Sequence, residues 1–202
     1  MNHQHMHVEN ARRYEITSAI GFGGQRRRVY DGLVRLSGVR PGDRLLDVGS
    51  GTGYLSGRAA LAVGPDGSVE GIDPSPPVVA YANEHAPPNA TFQSAGAERL
   101  PYDDAAFDAV LSCLAVHHIP SADRGPAFAE MYRVLKPSGR LLVADFRPPT
   151  GRLSRLAIGA FSGHAAEHVG LRDLALDAGF HIVETGTRRP FLAFVRATRP
   201  TA

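Results

Sequence analysis

From Arg44 onward the chain alternates short Leu/Val-rich runs with stretches whose apolar residues recur at helical spacing. Arg44–Val48, Ser68–Ile72, Ala90–Gln93, Phe107–Ser112 and Arg140–Asp145 read as five strands. Helices are expected between them, over Ser50–Val63, Pro76–His85 and Arg124–Leu135. In the second of these, Val78, Val79 and Ala82 share one face. The strands are apolar throughout rather than alternating, as parallel strands buried on both faces must be. Strands separated by helices predict a doubly wound α/β sheet with helices on both faces.

The tail breaks that rhythm. A helix over Leu171–Ala178 ends at Gly179, a residue suited to the left-handed position after a helix. Two more strands follow, His181–Thr185 and Phe191–Ala197, separated only by Gly186–Pro190. That gap is too short for a crossover helix and fits a hairpin, so the last strand is expected to run antiparallel to an otherwise parallel sheet. Residues 1–43 read as one or two helices outside the sheet, broken at Gly21–Gly24, and 44–202 as the main domain.

Composition narrows the class. With 202 residues, 43% apolar and 21% charged, the chain can bury one sizeable core. Cys113 is the only cysteine, which excludes an internal disulfide, an iron–sulfur cluster and a multi-cysteine zinc site. No apolar stretch is long enough to span a bilayer, and the first ten residues lack the apolar block of a signal peptide, so a cytoplasmic location is expected. The net charge is +2, and every basic residue but Lys136 is arginine. This matches the Gly, Pro and Ala richness of a GC-biased coding sequence. The run Arg26–Arg28 is too short for the basic stripe of a duplex binder, and no nucleic-acid partner is expected.

The chemistry concentrates in Leu45-Leu46-Asp47-Val48-Gly49-Ser50-Gly51-Thr52-Gly53. A glycine-rich turn between a strand and a helix lets backbone approach a ligand closely, and the helix start adds aligned N–H groups. The dinucleotide fingerprint G-x-G-x-x-G is not met, because Tyr54 stands where its last glycine belongs. Asp73 lies 26 positions beyond Asp47, at the end of the second strand, where a carboxylate can bind a ribose diol.

With these stretches the chain resembles the class I S-adenosylmethionine-dependent methyltransferases, of the compact type related to quinone C-methyltransferases. The resemblance covers about residues 42–147 and rests on LLDVGSGTG, EGIDPSP, AGAERLPYDDAAFD and VLSCLAVHHIP. It implies a seven-stranded sheet in the order 3-2-1-4-5-7-6. It also implies that S-adenosylmethionine is bound and S-adenosylhomocysteine released. Asp47, Gly49, Ser50, Gly51 and Gly53 would line the methionine part, and Asp73 would bind both ribose hydroxyls. Pro74 and Val78 would flank the adenine, with Gly96, Ala97 and Glu98 near its edge. Cys113 would contribute backbone, and His118 would face the cleft as a candidate base. Where the family often has aspartate this chain has Gly96, which removes one side-chain bond to the adenine amino group.

Each residue also has a plainer reading. Asp47 can be a turn-holding acid, Asp73 a helix cap before Pro74, Cys113 a small buried residue, and the pair His117-His118 scaffold. His164-Ala165-Ala166-Glu167-His168 spells an inverted zinc-protease pattern, but nothing else in the chain suits a protease, and no metal is expected. His3, His5 and His7 read as a terminal tract, and Tyr14, Arg26 and Tyr30 as candidates for a helix closing over the site or as a surface helix. The expected function is methyl transfer to a small-molecule acceptor by in-line displacement. The alternatives are a non-catalytic cofactor-binding or scaffold protein and, on the same architecture, a nicotinamide-dependent dehydrogenase. Motifs of DNA-amino, cytosine-C5, arsenite and protein-arginine methyltransferases are absent from the sequence.

Overall fold

The structure, a computed structural model, describes residues 24–146, 169–189 and 192–201. Seven strands form one sheet: β1 (Arg44–Val48), β2 (Ser68–Asp73), β3 (Ala90–Ser94), β4 (Phe107–Cys113), β5 (Leu135–Phe146), β6 (His181–Arg188) and β7 (Leu192–Thr198). Their order is β3-β2-β1-β4-β5-β7-β6, the order expected. β1 to β5 pair parallel, while β7 runs antiparallel to both neighbours.

Five α-helices lie among the described residues: α1 (Arg26–Ser37), α2 (Tyr54–Val63), α3 (Pro76–Glu84), α4 (Ser121–Val134) and α5 (Leu171–Asp177). Alternation along β1 shows how the sheet divides them. Leu45 joins a core with Leu33 of α1, Ala59 of α2 and Val79 of α3. Leu46 and Val48 join a second core with Phe128 and Met131 of α4 and Ala175 of α5. Asp47 therefore faces the α1–α2 side, beside Leu45 in parity.

Several boundaries differ from the sequence reading, among them the start of α4, at Ser121 rather than Arg124. The first crossover helix begins at Tyr54 rather than Ser50, because Gly51 and Gly53 hold φ of 54° and 82°, outside any right-handed helix. β5 begins at Leu135, five residues early, and absorbs the Lys136–Gly139 excursion as a register shift against β4. The excursion is tied down by Ser138 N–H to the Arg199 carbonyl and Arg199 N–H to the Gly139 carbonyl, both 2.9 Å. β6 continues to Arg188 because its register with β7 runs from His181 opposite Thr198 to Arg188 opposite Leu192. α1 packs against α2 and β5 with Arg26 and Tyr30 each only 7% exposed, while Arg27, Arg28 and Arg35 stay exposed, so the helix buries one face and shows the other to solvent. His3, His5, His7, Tyr14 and the His164–His168 pattern lie outside the described residues.

Candidate active site

The carboxyl ends of β1, β2 and β4 converge on a cavity of about 150 Å³. β1 delivers the glycine turn. Gly49 N–H and Ser50 N–H both donate to the Ile72 carbonyl, at 2.9 and 2.8 Å, so the turn stays attached to β2 as it leaves the sheet. Gly49 holds φ of 73°, and a Cβ there would run into that of Ala115. Only glycine satisfies both the left-handed backbone and that approach.

Asp73 closes β2. Its Oδ2 accepts from Gly51 N–H at 3.1 Å and its Oδ1 from Ser75 N–H at 3.0 Å, which binds the turn, the strand end and the start of α3 together. A carboxylate has about four lone-pair positions, so two remain for a ligand. Burial raises its pKa, against the two N–H bonds that lower it.

Pro74, Val78, Ala95, Gly96, Ala97, Ile119 and Pro120 supply apolar and backbone walls to the cavity, and Glu98 lies at its edge. A Cβ at Gly96 would collide with the Glu98 carboxylate, so the glycine lets that side chain fold back over it. Beyond Cys113, Leu114 holds φ of 57° and turns the chain off the sheet into a short 3₁₀ turn, Val116–His118. Left-handed backbone at a leucine costs on the order of 1–2 kcal/mol. Here it brings Ala115, His118, Ile119 and Pro120 over the cavity.

Of the residues singled out in the sequence, Gly49, Gly51, Asp73, Pro74, Val78, Gly96, Ala97, Glu98 and His118 line this one cavity. Asp47, Ser50 and Cys113 instead line a smaller polar pocket that adjoins it through Gly49 and Gly51, with Arg26, Tyr30, Thr52 and Tyr54. Gly53 lines neither. It precedes α2 in left-handed conformation, where a Cβ would stand 2.7 Å from the Phe92 ring.

In the polar pocket Asp47, 1% exposed, accepts from Ser56 Oγ at 2.5 Å. Burial lifts its carboxyl pKa to about 7; the Ser56 bond opposes this and the charge of Asp73 adds to it. The Arg26 guanidinium lies 3.8 Å over the Tyr54 ring. Ser50 Oγ is buried with no hydrogen-bond partner among the described residues. Cys113 has its thiol pKa raised by burial and then by the charges of Asp145 and Asp47, so it is no thiolate nucleophile.

Sequence reasoning passed over Asp145. It is 1% exposed; its Oδ2 accepts from the His117 N–H at 2.9 Å, and its Oδ1 lies 2.7 Å from His117 Nδ1. The signal existed: an acid ends the apolar run Arg140–Asp145 just as Asp73 ends the second strand.

Residues 45–139 match the methyltransferase domain family. The chain is 35% identical over 157 residues to the ubiquinone/menaquinone biosynthesis C-methyltransferase UbiE of Pseudomonas entomophila (strain L48), which covers 75% of this chain and 60% of that protein. The chain thus spans less than two thirds of the length of this curated relative. Among solved structures it is similar to a SAM-dependent methyltransferase from Aquifex aeolicus, with a TM-score of 0.67, 20% identity, and coverage of 87% of this chain and 93% of that one. It is also similar to phosphoethanolamine N-methyltransferase 2 of Haemonchus contortus in complex with S-adenosyl-L-methionine, with a TM-score of 0.73 and 18% identity over 92% of this chain and 56% of the other. Residues 45–139 thus match a methyltransferase domain, the sheet is that of the class I fold, and the chain is similar to a quinone C-methyltransferase over 75% of its own length.

Proposed function

We propose that this chain is an S-adenosylmethionine-dependent methyltransferase acting on a small-molecule acceptor. One observation carries the reading: a left-handed glycine turn, a half-buried strand-end carboxylate with two free acceptor positions and apolar walls suited to a flat ring meet in one cavity. The adjoining polar pocket, with its orphaned Ser50 hydroxyl, suits the zwitterionic end of the same ligand.

In this reading Asp73 binds the ribose hydroxyls, Pro74 and Val78 flank the adenine, and Gly96, Ala97 and Glu98 border its edge. Asp47, Gly49, Ser50 and Gly51 hold the methionine part, Gly53 sets the entry to α2, and Cys113 contributes backbone. Bound S-adenosylmethionine supplies a methyl group activated by its positive sulfur, for in-line displacement by the acceptor. Holding reactants aligned is worth ~7–11 kcal/mol in such transfers. His118, exposed at the cavity rim, takes the proton when the acceptor nucleophile carries one. Residues 44–202 form the cofactor-binding unit and 1–43 a cap. A cytoplasmic location and the lack of a nucleic-acid partner belong to the same reading; no helix among the described residues is long and apolar enough to cross a membrane.

Calorimetric titration with S-adenosylhomocysteine and with NAD tests the reading, followed by labelled-methyl transfer to a panel of small acceptors that includes hydroquinones. Binding of S-adenosylhomocysteine alone, with turnover on one acceptor, is expected. Binding of NAD alone would make the chain a dehydrogenase, and cofactor binding with no turnover on any acceptor would favour the non-catalytic alternative.

A further inference from the structure

Asp145 is the least explained group near the cavity. A carboxylate 1% exposed on the α4–α5 side of the sheet is costly unless its hydrogen bonds serve it well. It receives three donors: the N–H of Phe146 at 2.7 Å, the N–H of His117 at 2.9 Å, and the His117 ring through Nδ1 at 2.7 Å. The two backbone bonds alone would latch the 3₁₀ turn to the end of β5, much as Asp73 latches the start of α3. The ring bond does something further. With the carboxylate as acceptor, Nδ1 carries the hydrogen, and a ring bearing only that hydrogen is one tautomer with its Nε2 lone pair opposite.

The ring so fixed is stacked in a row. Phe146 meets it edge-on at 4.9 Å between centroids, and His118 lies against it at 3.8 Å with a tilt of 42°. His117 is only 12% exposed in its side chain, whereas His118 is exposed and lines the cavity. The buried pair is therefore the backing on which the cavity histidine rests.

We propose that Asp145 and His117 are a positioning pair for His118, fixing its ring at the cavity and coupling its protonation to theirs. The inference rests on the methyltransferase reading of the cavity, in which His118 accepts the proton. Among the described residues, Asp145 and His118 are ionisable groups in contact with the His117 ring, and the Cys113 thiol at the end of β4 also feels the charge of Asp145. The Asp145 charge favours a proton on either imidazole, and a proton on His117 opposes one on His118. Removing each partner should then move His118 in opposite directions.

The test is nuclear magnetic resonance on protein carrying ring-¹⁵N histidine, with and without S-adenosylhomocysteine. In the wild type, His117 should show a protonated Nδ1 and an unprotonated Nε2. Asp145→Asn should release that tautomer and move the His118 titration to lower pH by about half a pH unit, on the order expected of one charge acting across the His117 ring. His117→Phe keeps a flat ring behind His118 and should move the titration the other way. A merely structural latch would leave both titrations in place. Unchanged His118 titration in the folded variants, or a His117 protonated at Nε2, would overturn the proposal. If Asp145→Asn does not fold, His117→Phe carries the test by itself. S-adenosylhomocysteine should bind both variants within twofold of the wild type. Its failure to bind the wild type would sink the functional reading, while the tautomer and titration would still decide the coupling.

Discussion

The two ends of the parallel sheet are built from the same residue types and treat them in opposite ways. At the amino end, carboxylates meet cations: Asp43 pairs with Arg140 at 2.6 Å, Asp108 with Lys136 at 2.7 Å, and Glu70 with Arg44 at 2.7 Å. At the carboxyl end, Asp47 meets a serine hydroxyl and Asp73 two backbone N–H groups, and neither has a lysine or arginine in ion-pair range among the described residues. The consequence is a reversal of sign. Burial pushes the Asp108 carboxyl up, but Lys136, the Arg44 N–H and the nearby Arg140 outweigh it and hold it below the ordinary range. Burial dominates at Asp47 and Asp73, and both are raised. Carboxylates paired with cations mark the amino end, and Asp47 and Asp73, without cationic partners among the described residues, mark the end where we propose that the ligand binds.

The largest effect should come from Gly49→Ala. The left-handed backbone and the collision with Ala115 together should cost ~2–4 kcal/mol of stability in urea unfolding and abolish S-adenosylhomocysteine binding. Wild-type affinity in this variant would mean that the glycine turn does not shape the ligand site.

A pair of truncations sharpens the contrast between the ends. Asp73→Ala should weaken S-adenosylhomocysteine binding by ~1–3 kcal/mol in calorimetry, through loss of a charge-assisted acceptor. Asp43→Ala should leave affinity alone and lower unfolding stability by ~1–3 kcal/mol, because the half-buried Arg140 loses its carboxylate. Equal effects of the two variants on affinity would erase the distinction.

The pH dependence should differ in sign. With a folded pKa of about 7, well above its unfolded value, the Asp47 carboxyl retains its proton on folding between roughly pH 4 and 7. Its contribution to stability therefore falls as pH rises through that window, and Asp47→Asn should stabilise the protein by ~1–3 kcal/mol at pH 8 and less at pH 5. Asp108 is lowered, so its contribution is present above the ordinary carboxylate range and fades as pH falls through its folded pKa. Asp108→Asn should thus lose stability at pH 7 and resemble the wild type in acid. Melting curves across pH for both variants decide the matter. The smallest effect belongs to Glu70→Gln, which removes a partly exposed pair with Arg44 and should cost ~0.2–1 kcal/mol, less in high salt.

Much of this organisation was legible along the chain. Continuous apolar runs dictate parallel strands buried on two faces, and the short gap before Phe191 dictates the final antiparallel strand, because both follow from period and chain length. The glycines around Ser50 and the acid ending the second strand also marked the edge where the cavity lies, since backbone freedom and charge are properties of residue type. What tertiary structure decided were relations between distant segments. Only pairing with β2 and contact with Phe92 show that Gly53 begins a helix while Gly49 and Gly51 border the cavity. Burial of Arg26 beside Tyr54 is set by the packing of α1 on α2, and no local pattern encodes it. His117 and His118 are neighbours of one type in the sequence. A left-handed Leu114 and a carboxylate 28 positions away on β5 send one into the sheet end and the other to the cavity, because direction and solvation arise only when the strands are brought together.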